Sequence, residues 1–409
     1  MRITLVRHGR TADNHGRIWQ GWGGRGLDEE GRAQAEALAR RLAAVDHDRV
    51  ISSDLQRVVE TAAPLRKAVE LDPAWREIHV GSWAGRSWTE TFEAHRDDLE
   101  AMRQGEDVRI GGDGESTHEF HDRVVAAFDR LVASHDEGDE VLVLAHGGVI
   151  GTLVAELFGT RWPQSPTAPI TNTAVTTIDL DPHLGPRVAV LNDASHLGPR
   201  PGFAATATRT VTFVRHGLTD GNLGDRWQGH TCSGLNDTGR DQARRLGEYL
   251  GPQERLWSSD LPRARETAEQ LGRPRITEGL RELSFGAWEG LNRREVEDLH
   301  GDLARRIYVD REDLPRGGDG ESWAMLTERV SATVASALAE DEGDVTFVSH
   351  GSAIRSYLLT VLGVGWDISP RLGLLPNTGF GRVIDTPLGT RLFDYGLAPH
   401  LARESAVSR

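Results

Sequence analysis

A short apolar run that ends in arginine, histidine and glycine occurs twice in this sequence. Leu5-Val6-Arg7-His8-Gly9-Arg10-Thr11 returns as Phe213-Val214-Arg215-His216-Gly217-Leu218-Thr219. Apolar runs of this length predict buried strands, and open α/β sheets bind ligands at the carboxyl ends of their strands. A cation beside an imidazole at that edge suits an anionic group that is attacked by a ring nitrogen.

A second pair of strand ends carries the same residue types near the end of each half. Val141-Leu142-Val143-Leu144-Ala145-His146-Gly147 is matched by Val345-Thr346-Phe347-Val348-Ser349-His350-Gly351. Each half therefore offers two strand-end histidines. A single histidine of this kind is often only a satisfied hydrogen-bonding group, so the argument for chemistry depends on the repetition.

An arginine recurs within an eleven-residue frame, Ser52 to Ala62, which is repeated from Ser258 to Ala268. Each copy follows a short predicted strand, and its Ser-Ser-Asp can cap the helix that begins there. Arg57 and Arg263 fall in the first turn of that helix, where free backbone N–H groups and a guanidinium favour a bound anion. The alternative is a solvated surface charge, and the repeated frame favours the anion site.

A carboxylate occupies the same place in a third shared block, residues 75–85 and 280–290. Glu77 and Glu282 are flanked by apolar residues and a tryptophan, where burial would favour an acid able to donate a proton. The alternative is a structural glutamate paired with the adjacent Arg76 or Arg281. The sequence alone leaves both interpretations open.

The segments between these blocks agree less well. Residues 86–110 and 291–315 are predicted to be irregular helices that form a lid over each site. Ser116 with Glu119 predicts a capping box at the next helix, whereas Met325 replaces the glutamate in the second copy, so that only the serine cap remains.

The offset between the two copies defines the domain organisation. His8 and His216 are 216 − 8 = 208 positions apart, and His146 and His350 are 350 − 146 = 204 apart, so the register drifts by only 4 residues. We therefore predict two tandem copies of one three-layer α/β/α domain with a mainly parallel sheet. The predicted domains are residues 1–198 and 209–409, joined by a Pro/Gly/Ala-rich linker at 199–208.

Composition restricts the class of protein. The chain has 409 residues and a formal net charge of −15, which argues against a general nucleic-acid or anionic-membrane surface. Cys232 is the only cysteine, so an intramolecular disulfide is impossible. No apolar run reaches the ~20 residues of a membrane helix, and no signal peptide is evident. We expect a cytoplasmic protein with neither a nucleic-acid nor a membrane partner.

Taken together, these motifs resemble the histidine phosphatase superfamily, also called the phosphoglycerate mutase-like family. The resemblance depends on Arg-His-Gly-x-Thr, the Ser-Ser-Asp-Leu-x-Arg-x-x-Glu-Thr-Ala frame, Arg-Glu followed by Gly-x-Trp, and the second His-Gly, and it covers both halves. Residues 192–197, Asn-Asp-Ala-Ser-His-Leu, are also similar to the carboxyl-terminal signature of the phosphatase branch. The second half shows only a loose echo, Asp394 with His400-Leu401.

The resemblance implies a role for each matching position. His8 and His216 would be nucleophiles that form a phosphohistidine, and Glu77 and Glu282 would protonate the leaving alkoxide and then activate water. The groups that contact the phosphoryl oxygens would be Arg7, Asn14, Arg57 and His146 in the first half, with Arg215, Asn222, Arg263 and His350 in the second.

Arginines and a second imidazole can take the place of a metal in phosphoryl transfer, because this chemistry depends mainly on positioning and charge stabilisation. The sequence has no dense Asp/Glu/His ligand spacing, so neither a metal site nor a cofactor is predicted. The expected partner is a small phosphomonoester.

The sequence favours a phosphatase over a mutase. The acid and the second histidine are only 146 − 77 = 69 and 350 − 282 = 68 positions apart, whereas mutases of this family carry extra chain there. Two alternatives remain open. One is phosphoryl transfer to another acceptor, and the other is a half that binds, scaffolds or performs non-phosphatase chemistry.

Overall fold

The computed structural model of the chain describes residues 1–198, 207–340, 342–387 and 389–401. Two units separate in it, Met1–Thr206 and Ala207–Arg409. Of the predicted linker, residues 199–206 lie outside the described residues. Each unit contributes six strands and has its own apolar core.

The first unit contains a six-stranded sheet in the order β3-β2-β4-β1-β5-β6. The first four of these strands are parallel to one another, and β5 runs antiparallel to both β1 and β6. The strands are β1 (Arg2–Arg7), β2 (Arg49–Ser52), β3 (Glu70–Leu71), β4 (Glu140–Ala145), β5 (Val175–Asp181) and β6 (Gly185–Asp193).

Helices follow the parallel strands and cover the sheet. Those of the first unit are α1 (Ala12–His15), α2 (Glu29–Leu42), α3 (Gln56–Ala62), α4 (Trp88–Ala94), α5 (Arg96–Gln104), α6 (Thr117–Ala133) and α7 (Gly147–Leu157). The predicted capping box is present at the start of α6, where Ser116 accepts from the backbone of Glu119 and the Glu119 side chain accepts from the backbone of Ser116.

The alternation of side chains along the central strands explains the layers. Leu142 and Leu144 of β4 pack against α2 and α3 in one apolar cluster. Their neighbours Val141 and Val143 are fully buried and point to the opposite face, which packs on the side of α6 and α7. The three-layer prediction is thus confirmed for this unit.

The second unit repeats the arrangement with the strand order β9-β8-β10-β7-β11-β12. Its strands are β7 (Arg209–Arg215), β8 (Leu256–Ser259), β9 (Arg275–Thr277), β10 (Val345–Ser349), β11 (Phe380–Thr386) and β12 (Gly389–Leu397). Its helices are α8 (Asp220–Leu223), α9 (Asp237–Leu250), α10 (Pro262–Ala268), α11 (Arg293–Tyr308), α12 (Trp323–Glu340) and α13 (Gly351–Leu362).

Both predicted irregular helical segments are found. In the first unit α4 and α5 are separated at His95, whose backbone is not helical. In the second unit α11 is continuous but has non-helical dihedral angles at His300. The role of these helices as lids stays a prediction.

The mainly parallel sheet was predicted, whereas the antiparallel pair at one edge was not. The added strands follow the last helix of each unit and return beside β1 and β7. In the part of the chain that the structure describes, no helix is both long enough and apolar enough to cross a membrane.

Candidate active site

Strand register brings the two histidines of each unit together. Arg7 of β1 pairs with Ala145 of the parallel strand β4, so the residues that follow, His8 and His146, leave the sheet side by side. Their ring centroids are 5.2 Å apart. The equivalent pair in the second unit, His216 and His350, is 5.1 Å apart.

The hydrogen bonds of His8 fix its tautomer. Its Nδ1 lies 2.7 Å from the carbonyl oxygen of Gly9, and since a carbonyl can only accept, Nδ1 carries the proton. The Nε2 lone pair is therefore directed into the site. Burial, the charge of Arg57 and the charge of Arg7 hold the pKa of His8 well below its usual value, so the ring is neutral at pH 7.

His216 in the second unit has the same environment. Its Nδ1 lies 2.7 Å from the carbonyl oxygen of Gly217. Burial, then Arg263 and Arg215, hold its pKa well below the usual value. Both units thus present a neutral imidazole with an unprotonated Nε2.

Arg57 lies in the first turn of α3, as predicted, and links the two histidines of the first unit. Its Nε donates to Nε2 of His8 at 3.3 Å, and its Nη2 donates to Nδ1 of His146 at 3.2 Å. The carbonyl oxygens of Gly21 and Gly23 accept from the same guanidinium at 2.7 and 2.8 Å. Burial lowers the pKa of Arg57 to about 10, which leaves it charged at neutral pH.

The orientation of His146 depends on Ser53, for which the sequence predicted a role in capping α3. Because Nδ1 of His146 accepts from Arg57, its Nε2 carries the proton and donates to Oγ of Ser53 at 2.9 Å. The prediction that Ser-Ser-Asp caps the helix is wrong: α3 begins after Leu55, which makes no side-chain cap. Burial is the largest cause that lowers the pKa of His146.

Both strand-end arginines have a nitrogen that no protein group satisfies. Arg7 donates from Nη1 to the carbonyl of Ile170, and Arg215 donates to that of Leu375 at 2.6 Å. Among the described residues, neither Nε has a hydrogen-bond partner, although both are buried. Buried donors without partners are costly, so these atoms mark a place for a bound acceptor.

The second unit has two further buried atoms of this kind. Nε of Arg263 and Nδ1 of His350 have no partner within the described parts of the chain. The matching atoms of the first unit are bonded, since Nε of Arg57 donates to His8 and Nδ1 of His146 accepts from Arg57. Nε2 of His350 lies 2.9 Å from Oγ of Ser259. An anion with several oxygens would satisfy the unpartnered arginine N–H groups together.

The two glutamates do not pair with the adjacent arginines. Arg76 donates from Nε to Asp54 at 2.6 Å, and Arg281 donates to Asp260 at 2.8 Å, which excludes the alternative interpretation. Oε2 of Glu77 accepts instead from the backbone N–H of Gly148 at 3.1 Å. The carboxylate is thus held at the N-terminus of α7, beside the histidine pair.

Glu282 is held in the same way, but two amides of α13 donate to it where one amide of α7 donates to Glu77. It accepts from the backbone N–H groups of Ser352 and Ala353, each at 3.2 Å. In the first unit a Cβ at Gly148 would collide with Oε1 of Glu77, whereas Ser352 occupies the matching position of the second unit. The carboxylates of the two sites therefore differ in their contacts.

The structure adds an asparagine that sequence reasoning missed. Nδ2 of Asn172 donates to the carbonyl oxygen of His8 at 2.9 Å and to Oδ1 of Asn14 at 3.3 Å. Asn377 makes the same bonds to His216 at 3.1 Å and to Asn222 at 3.2 Å. The signal available was an Asn-Thr pair that repeats at an offset of 377 − 172 = 205.

The carboxyl-terminal signature, residues 192–197, contacts the threonine that follows this asparagine. Nε2 of His196 lies 3.0 Å from Oγ1 of Thr173, and Arg41 pairs with Asp193. Burial lowers the pKa of His196 to about 4. The echo in the second unit keeps part of this contact, since Nε2 of His400 lies 2.8 Å from Oγ1 of Thr378.

The loop beside each acid carries a different ring. Nε1 of Trp22 donates to the backbone carbonyl of Glu77 at 2.7 Å, and His230 occupies the matching place in the second unit, with Nε2 at 2.9 Å from the carbonyl of Glu282. The Trp22 ring lies 4.7 Å from that of His79. The two sites thus share their polar centre and differ at its edge.

Each site combines an unprotonated ring nitrogen, buried positive charge and a carboxylate. This set can bind a phosphoryl group, attack its phosphorus and exchange a proton with the departing oxygen. Within the described residues, no group of three or more His, Cys, Asp or Glu side chains could hold a metal ion.

The family comparison matches the same two regions. The model of the histidine phosphatase superfamily (branch 1) matches residues 3–194 and again residues 211–392. Together these ranges span most of the chain.

Several curated relatives are similar to this chain. Glucosyl-3-phosphoglycerate phosphatase of Mycolicibacterium vanbaalenii is 34% identical over 185 residues, which are 42% of this chain and 82% of the relative. The metal-independent phosphoserine phosphatase of Arabidopsis thaliana is 32% identical over 37% of this chain and 68% of its own length. The probable phosphoglycerate mutase GpmB of Salmonella arizonae is 36% identical over 42% of this chain and 83% of its own length.

Proposed function

The chain belongs to the histidine phosphatase superfamily (branch 1) in both halves, and on that premise we propose that each unit hydrolyses small phosphomonoesters through a phosphohistidine. The family and its phosphatase-named relatives identify the chain as a phosphatase. The proposal concerns the residues, the intermediate and the presence of two working sites.

In the first step, Nε2 of His8 attacks the phosphorus atom of the ester. The N–P bond forms while the P–O bond to the alcohol breaks. Arg7, Arg57 and His146 surround the transferred group. The two arginines offset the charge on its oxygens, which is the main contribution a protein makes to phosphoryl transfer, and His146 donates to an oxygen only when its Nδ1 carries a proton. Arg57 exchanges its bond to His8 for a bond to a phosphoryl oxygen.

Glu77 supplies the proton that the departing alkoxide needs. The carboxyl group then takes a proton from water, whose oxygen attacks phosphorus and breaks the N–P bond. Phosphate leaves, and both His8 and Glu77 return to their starting states. The same sequence in the second unit uses His216 and Glu282, with Arg215, Arg263 and His350 as the phosphoryl-binding groups.

One observation carries this proposal above the others: Nδ1 of His8 donates to the Gly9 carbonyl, which leaves Nε2 as a neutral nucleophile between two arginines. A protonated imidazole could not attack, and a ring held in the other tautomer would direct an N–H at the phosphoryl group. The repetition of the bond at His216 supports two nucleophiles.

Two experiments test the proposal. Hydrolysis of p-nitrophenyl phosphate is expected to survive EDTA, because arginines supply the positive charge. A labelled phosphoryl group is expected to be trapped on His8 and His216 in a form that is stable to base and labile to acid. Loss of activity in EDTA with recovery on adding a divalent ion, or label found on another residue type, would overturn the proposal.

Phosphoryl transfer to another acceptor is a second candidate function. The similarity to a probable phosphoglycerate mutase favours it. A product assay separates the two outcomes: hydrolysis releases one inorganic phosphate for each ester consumed, whereas a mutase-like reaction consumes one ester and yields another.

A further inference from the structure

One arginine of the second unit lies close to the site without a role in the steps above. Arg355 is on α13, four residues after Gly351, so the two positions share one face of the helix. A Cβ at Gly351 would lie 3.8 Å from Nε of Arg215 and 3.9 Å from Oε2 of Glu282. Since helical side chains lean towards the N-terminus, Arg355 extends towards this part of the site.

The guanidinium of Arg355 has little protein compensation for its charge. Its Nη1 donates to the carbonyl of Leu372 at a long 3.4 Å. Among the described residues, its buried Nε has no hydrogen-bond partner, and no carboxylate forms an ion pair with it. An unpaired buried charge is expensive to maintain, which suggests that a ligand completes this position.

A tryptophan ring packs against the arginine, and a second tryptophan packs on that ring. The Arg355 guanidinium lies 5.6 Å from the ring centroid of Trp323, and that ring lies 6.0 Å from Trp366. Arg316 also lies over Trp366, but it pairs with Asp313 at 3.1 Å. Arg311 lies over the same Trp366 ring, but Arg355 is the cation of this group that shares a face of α13 with Gly351, next to Arg215 and Glu282.

The electrostatics agree with this geometry. Burial lowers the pKa of Arg215, and the positive charge of Arg355 contributes to that lowering. Glu282 acts on Arg355 in the opposite direction and raises its pKa, although burial dominates. Arg355 is thus within electrostatic range of both the phosphoryl-binding arginine and the acid.

The first unit has no such cation at the matching place. At the offset of 204 set by the second histidines, Arg355 corresponds to Gly151. A Cβ at Gly151 would lie 3.0 Å from Cδ1 of Trp162, so an aromatic ring fills the space that a side chain would need. Trp162 packs in turn on Phe120, with ring centroids 5.7 Å apart.

We propose that Arg355 is a specificity-determining residue that binds a second acidic group of the substrate, so that the second unit prefers phosphomonoesters that also carry a carboxylate. A single guanidinium matches the planar geometry and the single charge of a carboxylate. The proposal rests on the phosphatase function proposed above, and it assigns the preference to the second unit alone.

The test uses the full chain with the first site silenced by His8→Ala. O-phosphoserine and O-phosphoethanolamine, which differ by one carboxylate, are compared as inhibitors of p-nitrophenyl phosphate hydrolysis. Both compete for the site whether or not they are hydrolysed. We expect phosphoserine to have the lower inhibition constant by about tenfold or more, and Arg355→Met to remove most of that preference.

Three variants make the comparison specific. Arg355→Lys keeps the charge and is expected to retain part of the preference, even if Arg355→Met folds poorly. Arg244→Met removes an exposed arginine of α9 and is expected to leave the preference unchanged. The first unit, measured in His216→Ala, is expected to show a much smaller preference, because Gly151 stands in the place of Arg355 and the Trp162 ring fills the space beside it.

Several outcomes would overturn the proposal. These are no preference in the His8→Ala parent, an unchanged preference in Arg355→Met, an equal weakening of both inhibitors, or the same preference in the first unit. Failure of the parent to hydrolyse p-nitrophenyl phosphate would count against the proposed function instead. Calorimetric titration with the two compounds would then still report the preference.

Discussion

Oγ of Ser53 lies 2.9 Å from Nε2 of His146, and it accepts from that nitrogen because the bond from Arg57 to Nδ1 leaves the ring proton on Nε2. The hydroxyl accepts from Nε2–H, and Nδ1 is left to face Arg57 and the phosphoryl-binding region. Ser259 and His350 repeat the contact at the same distance. A buried serine thus orients the second histidine of each unit.

Ser53→Ala is expected to lower kcat/KM of the first unit by about tenfold, since a buried N–H loses its acceptor at a cost of ~1–3 kcal/mol. The measurement is made in the His216→Ala background, so that only the first unit reports. Ser134→Ala, at the end of α6, is the matched control and should have no effect. An unchanged kcat/KM in Ser53→Ala would show that the contact does not orient His146.

Removal of one nucleophile is expected to leave the other unit working. His8→Ala and His216→Ala should each lose their own site by at least about a thousandfold, and only the double variant should be inactive. Because the loops beside the acids differ, the two single variants should also have different substrate profiles in a phosphate-release screen. Total loss of activity in either folded single variant, or identical profiles, would contradict two independent sites.

Glu77→Gln is expected to slow alkyl phosphates far more than p-nitrophenyl phosphate, since a good leaving group needs no proton. General acid catalysis of this kind contributes on the order of 10²- to 10⁴-fold. The measurement compares kcat for both substrate types in the His216→Ala background. Glu119→Gln, at the exposed start of α6, is the control. An equal loss with both substrate types would indicate that Glu77 positions the substrate rather than donating a proton.

Activity is expected to persist at acidic pH. The nucleophile that we propose is the neutral form of His8, whose pKa is held well below the usual value by burial, Arg57 and Arg7. A lowered pKa keeps the active form populated as the pH falls through ~6.5, where an ordinary histidine becomes protonated. NMR titration of His8 and the pH profile of kcat/KM test this. Protonation of His8 near pH 6.5 would contradict it.

A variant of Arg57 is expected to shift the pKa of His8 in the opposite direction. Arg57→Met removes the larger of the two neighbouring charges that lower the pKa of His8, so that pKa should rise and the acidic limb should move to higher pH. The residual activity will be low, because Arg57 also binds the phosphoryl group. The informative quantity is therefore the shape of the profile and the NMR titration, not the rate.

Sequence reasoning predicted that His8, His146 and Arg57 lie together, because each stands at the end of a strand or in the first turn of a helix, where position follows from local pattern. The structure brings these three residues together, and their catalytic roles stay a prediction. Sequence reasoning failed for Ser53, since a serine before a helix satisfies the capping pattern as well as it satisfies an imidazole. Only the register of β2 beside β4 decides between the two.

Other features depend on contacts between residues far apart in the chain. Asn172 reaches His8 across 164 positions, and no periodicity predicts such a pair. Arg76 pairs with Asp54 rather than with Glu77, and this pairing also depends on a contact between residues that lie far apart in the chain. The antiparallel strands β5 and β6 escaped prediction because their pairing with the parallel sheet is likewise non-local.

The manner in which Arg57 is held has a consequence for product release. Its guanidinium is fixed by the carbonyl oxygens of Gly21 and Gly23, which orient it without neutralising its charge. The same charge that stabilises the transferred group will also retain inorganic phosphate after hydrolysis. Departure of phosphate can then limit turnover, and the phosphate concentration around the protein would set how much of it is free to act.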